Sequence, residues 1–136
     1  MSSHLEHLNP SSLPKGPGYT QVVKARGEVF IFVSGQVALN AEGQLVGEGD
    51  LRNQAAQVFE NLRAVLAAAG AAFDDVVKIT YFVVNLKRED ALLLREVRQG
   101  YLNQAHPPAS TLVGVTALVD PRWLIEIEAV AVLPRQ

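Results

Sequence analysis

Residues 76–84 read VVKITYFVV, nine positions that are apolar almost throughout and rich in β-branched and aromatic side chains. A run of this kind has no solvated side, so it predicts a strand in the middle of a sheet. Immediately before it, Asp50 is a good helix N-cap, and Ala55, Phe59, Leu62, Leu66 and Ala69 follow at helical spacing, with Val58 and Val65 widening the stripe. Gly70 stands where a C-terminal cap belongs. Immediately after it, Ala91, Leu94, Val97 and Tyr101 predict a second helix from about Arg88 to Leu102, and Pro107-Pro108 bars any continuation. The strand is therefore flanked by helices.

Further out the chain is β-rich. Strand-like sequence starts at Tyr19 (YTQVVKA), turns at Arg26-Gly27-Glu28 and resumes as VFIFVSGQVAL, ending at Leu39. Asn40-Ala41-Glu42-Gly43 reads as a turn, and Gln44-Leu45-Val46 as a short strand. At the other end, STLVGVTAL and WLIEIEAVAV flank the turn Val119-Asp120-Pro121-Arg122. In the last of these, Ile125, Ile127 and Ala129 alternate with Glu126, Glu128 and Val130. The order β-β-α-β-α-β-β predicts an α+β, two-layer sandwich: a mixed sheet of five to six strands with two helices on one face. Residues 1–15, broken by prolines and serines, are expected to be an irregular lead-in to a single domain spanning 1–136.

Two helices cover one side of such a sheet, yet its central strands are apolar on both. A lone copy would expose a large apolar patch, so a homo-oligomer is expected.

Composition narrows the chemistry. A chain of 136 residues suits one core. Twelve Lys and Arg against 14 Asp and Glu leave a net charge of −2, which argues against nucleic acid as a partner. The absence of cysteine removes disulfides, thiolate nucleophiles and zinc knuckles. His4 and His7 lie in a polar, irregular segment and His106 precedes two prolines, so no metal site is expected. Nothing resembles a secretory leader or the roughly 20 apolar residues of a membrane span, so a cytoplasmic protein is expected.

Candidate site residues follow from the strands. Glu126 and Glu128 lie two apart and point to one face; both are either solvated, or one is enclosed by its apolar neighbours and able to orient and deprotonate water. Ser34-Gly35-Gln36 interrupts a β-rich run, either as a β-bulge or as a gap where Gln36 offers its amide to a ligand. Tyr19 follows Gly-Pro-Gly and is either packing or binding. Ser110 and Thr111, after Pro107-Pro108-Ala109, could present hydroxyls, but no His or Lys has the spacing to activate Ser110 as a nucleophile. There is no GxGxxG and no HExxH.

Taken in order, the Gly-Pro-Gly-Tyr lead, SGQ at 34–36, QAAQVFENLRAVLAAAG, VVKITYFVVNL, PPAST and IEIEAVAV resemble the Rid (reactive intermediate deaminase), or YjgF/L-PSP, family over residues 16–133. The resemblance implies a chorismate-mutase-like fold assembled as a homotrimer, with small-molecule sites in clefts between subunits. It also implies hydrolysis of 2-imino or 2-enamino acids to 2-oxo acids and ammonia, with no cofactor. It places the water-orienting glutamate at Glu126 and ligand contacts at Tyr19, Ser34, Gly35, Gln36, Ser110, Thr111 and Leu112. It also places Ser110 where deaminases carry an arginine for the substrate carboxylate, and Leu112 where many carry a cysteine. A hydroxyl has neither the charge nor the fork of a guanidinium, which argues against 2-imino acids as substrates. Three functions compete: a hydrolase of a small reactive imine, enamine or related compound; a metabolite-binding protein without turnover; and an endoribonuclease or translation inhibitor, which the acidic composition disfavours.

Overall fold

The computed structural model describes residues 4–135. Six strands and two α-helices follow one another among these residues: β1 (Leu5–Leu8), β2 (Val22–Ala25), β3 (Val29–Gln36), α1 (Leu51–Ala68), β4 (Val76–Val84), α2 (Arg88–Arg98), β5 (Ala109–Val115) and β6 (Ile125–Leu133), with a 3-10 turn at Phe73–Asp75 before β4. Four strands make a mixed sheet in the order β3-β6-β4-β5, with β4 and β5 parallel and the other pairs antiparallel. The α+β two-layer architecture expected from the element order is present, and its six strands divide between this sheet and a β1-β2 ribbon.

Helix α1 forms as its sequence dictates. The Asp50 carboxylate accepts from the backbone N–H of Asn53 at 3.1 Å, satisfying one free donor of the first turn. At the other end Gly70 takes φ 78°, and the N–H groups of Gly70 and Ala71 bond back to the carbonyls of Ala67 and Leu66, a Schellman closure. Ala55, Val58, Phe59, Leu62 and Leu66 are fully buried against Ile79, Tyr81, Val83, Ile125, Ile127 and Ala131 of the sheet. Gln54 is buried among them and braces the chain. Its amide N–H groups reach the carbonyls of Gly47 and Arg122, and its carbonyl accepts from Leu124, at 3.1, 3.1 and 2.9 Å.

Three expectations need correction. The lead-in is not wholly irregular: Leu5–Leu8 pairs antiparallel with Val22–Ala25, Leu5 is buried, and the His4 ring contacts the carbonyl of Val132. Four residues are too few to show a period, so only the partner strand reveals this one. Gln44-Leu45-Val46 makes a single bridge from Leu45 to Leu39 and no strand. Helix α2 stops at Arg98 because Gly100 follows; Tyr101 and Leu102 continue as a turn bonded to the carbonyl of Arg98.

The sheet face away from the helices carries Phe30, Phe32, Phe82, Val113 and Val130 with Glu126 and Glu128, as the register of β3, β6, β4 and β5 requires. Phe32 is 78% and Phe30 60% exposed. Strand β4 is thus fully buried on its helix side only, and the apolar residues of its other side remain half-buried in one copy of the chain.

Candidate functional site

Site residues read from the sequence gather at two places. On the open face, β3 and β6 lose register between Val33 and Gln36: Val33 opposes Ala129 and Gln36 opposes Ile127, so Ser34 and Gly35 together face Glu128. This is a β-bulge, and the Gln36 amide closes it by donating to the Ser34 carbonyl at 3.1 Å. The bulge carries Gly35 against Glu126; a Cβ on Gly35 would overlap the Glu126 carboxylate. Glycine is favoured here by close approach and not by backbone angle, because any side chain would push the Glu126 carboxylate from its present place. Glu126 is half-buried, next to Phe82 across the strand pair, while Glu128 is exposed. Of the two glutamates, Glu126 is the less exposed.

The second place lies at the start of β5. Tyr19, Ser110 and Leu112 line one depression of about 290 Å³ with Pro17, Ala91, Arg95 and Arg98. Local sequence builds it. Thr20, buried, donates its N–H to the Pro108 carbonyl at 3.2 Å and its hydroxyl to the Pro107 carbonyl, which ties Tyr19 to the first residues of β5. The Tyr19 ring packs on Gly16 so closely that any side chain there would clash. Gly18, at φ 75°, lies against the Arg98 guanidinium, whose Nη2 donates to the Pro17 carbonyl at 2.9 Å.

These two places are on opposite faces of the sheet. Ser110 pairs with Ile79 and Leu112 with Tyr81, both buried on the helix side, whereas Glu126 pairs with Phe82 on the open side. Thr111, between them, faces the open side and accepts a bond from Lys78 Nζ at 2.7 Å. One copy of the chain does not bring Glu126 together with Tyr19, Ser110 and Leu112.

Other candidates are committed elsewhere. Arg122 forms a two-pronged pair with Asp120, at 3.1 Å from Nε and 2.9 Å from Nη2, and these bonds lower the carboxyl pKa of Asp120. The His7 and His106 rings lie 5.2 Å apart at a tilt of 42°, while His4 faces Val132 and Asp75. Among the described residues no three His, Cys, Asp or Glu side chains are grouped as metal ligands would be. No helix among them is long and apolar enough to cross a membrane.

Residues 11–133 match the sequence profile of the family described as Endoribonuclease L-PSP. A RutC family protein of Synechocystis is 39% identical over 122 residues, covering 89% of each chain. The chain belongs to the Rid/YjgF/L-PSP family. Within that family it is 34% identical over 120 residues to a protein of Dermatophagoides farinae named 2-iminobutanoate/2-iminopropanoate deaminase, with 88% of each chain covered. A solved Rid-family structure of unknown function from Yersinia pestis superposes with a TM-score of 0.88 at 36% identity, covering 96% of this chain and all of that one.

Two residues that line the depression beside Ser110 escape sequence reading, Arg95 and Arg98. They border the apolar stripe of α2, one turn after Ala91 and Leu94, and nothing in that spacing separates them from an ordinary solvated edge. Only the docking of α2 beside β5 puts them next to Ser110.

Proposed function

We propose that this protein hydrolyses a small reactive imine or enamine as a homotrimer, in a cleft that Glu126 of one copy and Tyr19, Ser110 and Leu112 of the next complete together. The observation that carries this reading is the separation of the two groups on opposite faces of the sheet, with an exposed apolar face around Glu126. Phe30 and Phe32 are exposed aromatic side chains of the kind that anchor subunit interfaces. Packing that face against a second copy covers them and encloses Glu126.

The chemistry needs one carboxylate and one water. Glu126 orients the water and takes its proton as the oxygen attacks the imine carbon; the C=N π electrons move to nitrogen, which receives the proton. Glu126 then takes the carbinolamine's hydroxyl proton and passes it to the amino nitrogen, the C–N bond breaks as the carbonyl forms, and ammonia leaves. Overall, imine and water give carbonyl and ammonia, and an enamine enters the same path after tautomerising. No cofactor takes part.

The test generates iminoalkanoates in situ with an amino-acid oxidase and compares wild type with Glu126→Gln. Turnover by wild type that is lost in the variant, in a protein that light scattering shows to be three copies, is the expected result. Equal turnover in both overturns the role of Glu126, and a monomer overturns the shared cleft. No turnover, with a metabolite retained through purification, would favour a binding protein instead.

A further inference from the structure

We propose that His7 and His106 bind a divalent transition-metal ion of the zinc or copper class where the β1-β2 ribbon meets the segment leading into β5. The two imidazole rings lie 5.2 Å apart, centre to centre, at a tilt of 42°. Two imidazoles on one tetrahedral ion, each bonded at roughly 2.0–2.1 Å, hold their ring centres about 5 Å apart. The tilt is no obstacle, because a bound ring is free to turn about its metal–nitrogen bond. The hydrolysis proposed above uses neither histidine, so the two readings are independent.

The pair has ligand atoms to spare. The His4 ring contacts the Val132 carbonyl, whereas neither the His7 nor the His106 ring has a hydrogen-bond partner among the described residues. Neutral imidazole suits zinc, copper and nickel, and in a chain without cysteine no thiolate competes for the ion. Glu6 and Asp74 line the same depression of about 380 Å³ as the two histidines. Glu6 shares its charge with Lys24 at 3.5 Å, but Asp74 has no cationic side chain within 4.0 Å among the described residues. The surroundings therefore attract a cation.

Backbone bonds fix both ligands before any ion arrives. His7 is paired with Val23 in the β1-β2 ribbon. The Asn103 side-chain oxygen accepts from the N–H groups of Ala105 and His106 at 2.9 and 3.1 Å. Directly after His106, Thr20 holds the carbonyls of the buried Pro107 and Pro108. Two fixed backbones lower the ordering cost of binding. The histidines lie far apart in sequence, so no spacing announces them, and only the ribbon and the Asn103 turn bring them together. Two protein ligands are fewer than a catalytic zinc site has, so waters fill the open positions and the ion exchanges with solvent. Once bound, it clips the N-terminal ribbon to the start of β5.

Isothermal titration of zinc chloride and magnesium chloride into the untagged, chelator-treated full chain tests this on wild type, His7→Gln, His106→Gln and His4→Gln. Wild type is expected to take one Zn²⁺ per chain with a roughly micromolar Kd, about half the binding free energy of a four-ligand site. His7→Gln and His106→Gln should each bind at least about tenfold more weakly, and His4→Gln like wild type. His106 is exposed, so its replacement leaves the packing intact and keeps the test valid should His7→Gln be unstable. Mg²⁺, which demands oxygen ligands, should not bind. Electron paramagnetic resonance of the Cu²⁺ form reads the ligands directly, and two nitrogens are expected. No Zn²⁺ binding to wild type, unchanged affinity in His106→Gln, an equal loss in His4→Gln, or fewer than two nitrogens on Cu²⁺ would each overturn the site. Mg²⁺ binding as tightly as Zn²⁺ would assign the ion to Glu6 and Asp74 and overturn the role of the histidines.

Discussion

Gly35 and Glu126 interlock: the bulge in β3 carries the Gly35 backbone to where a Cβ would stand inside the Glu126 carboxylate. The glycine of the SGQ segment thus serves the glutamate on the neighbouring strand. Gly35→Ala is expected to push the carboxylate aside. Because the displaced atoms end a flexible side chain, stability should fall by only about 1 kcal/mol. Turnover on iminoalkanoates should drop at least about tenfold, as misplacing a reacting group does. Melting temperature and turnover measured together check this; an unchanged rate would show that Glu126 has no need of its present position.

The open face makes a second prediction. Phe32→Asp places a charge on the most exposed aromatic residue of that face. If copies of the chain pack there, burying an unpaired carboxylate costs enough to dissociate them. Light scattering should report a shift from three copies towards one. Asp in place of the already exposed Val119, which lies in the turn before β6 and not on the open sheet face, should leave assembly intact. An assembly that tolerates Phe32→Asp would exclude this face as the interface.

Gln54 predicts a stability effect. Replacing it with Leu leaves the Arg122 carbonyl and the Leu124 N–H without their partner, while the Gly47 carbonyl keeps its bond from the Asp50 N–H. An unsatisfied buried group costs about 1–3 kcal/mol, so a total loss of about 2–4 kcal/mol is expected, seen as a drop of roughly ten degrees in Tm. The exposed neighbour Asn53, changed to Ala, should move Tm by far less.

The His7–His106 pair predicts a pH dependence. Burial lowers the pKa of His7, and the nearby His106 lowers it further. The unfolded chain therefore takes up this proton first as pH falls through about 6.5. Stability is lost over that window and levels off below the lowered folded-state value. Urea unfolding at pH 7.5 and pH 5.5 should show a smaller difference for His7→Gln than for wild type. An identical difference would mean that His7 does not titrate against folding.

Local order in this chain is legible residue by residue. Asp50 and Gly70 bracket α1 because capping chemistry is local to a few consecutive residues. Val76–Val84 and the alternation of Ile125, Ile127 and Ala129 with Glu126 and Glu128 mark strands because the two-residue period is written into the chain. Those same periods placed Glu126 on the face opposite the core, and the shortage of helices to cover that face was readable from element count alone.

Pairing and docking are not local, and there the tertiary structure decided. Leu5–Leu8 becomes a strand only because Val22–Ala25 lies beside it. The order β3-β6-β4-β5 follows from how the strands pack under α1 and is not their order along the chain. The register of those pairings sets Ser110 and Glu126 on opposite faces, and the packing of α2 beside β5 brings Arg95 and Arg98 to Ser110. From sequence, position 110 reads as a lost positive charge, since the arginine expected there is a serine. The fold sets two arginines, 15 and 12 positions upstream on another element, at the same depression. Periodicity along a chain records which way a side chain faces; which other side chain it meets depends on contacts between distant segments, and those exist only once the chain is folded.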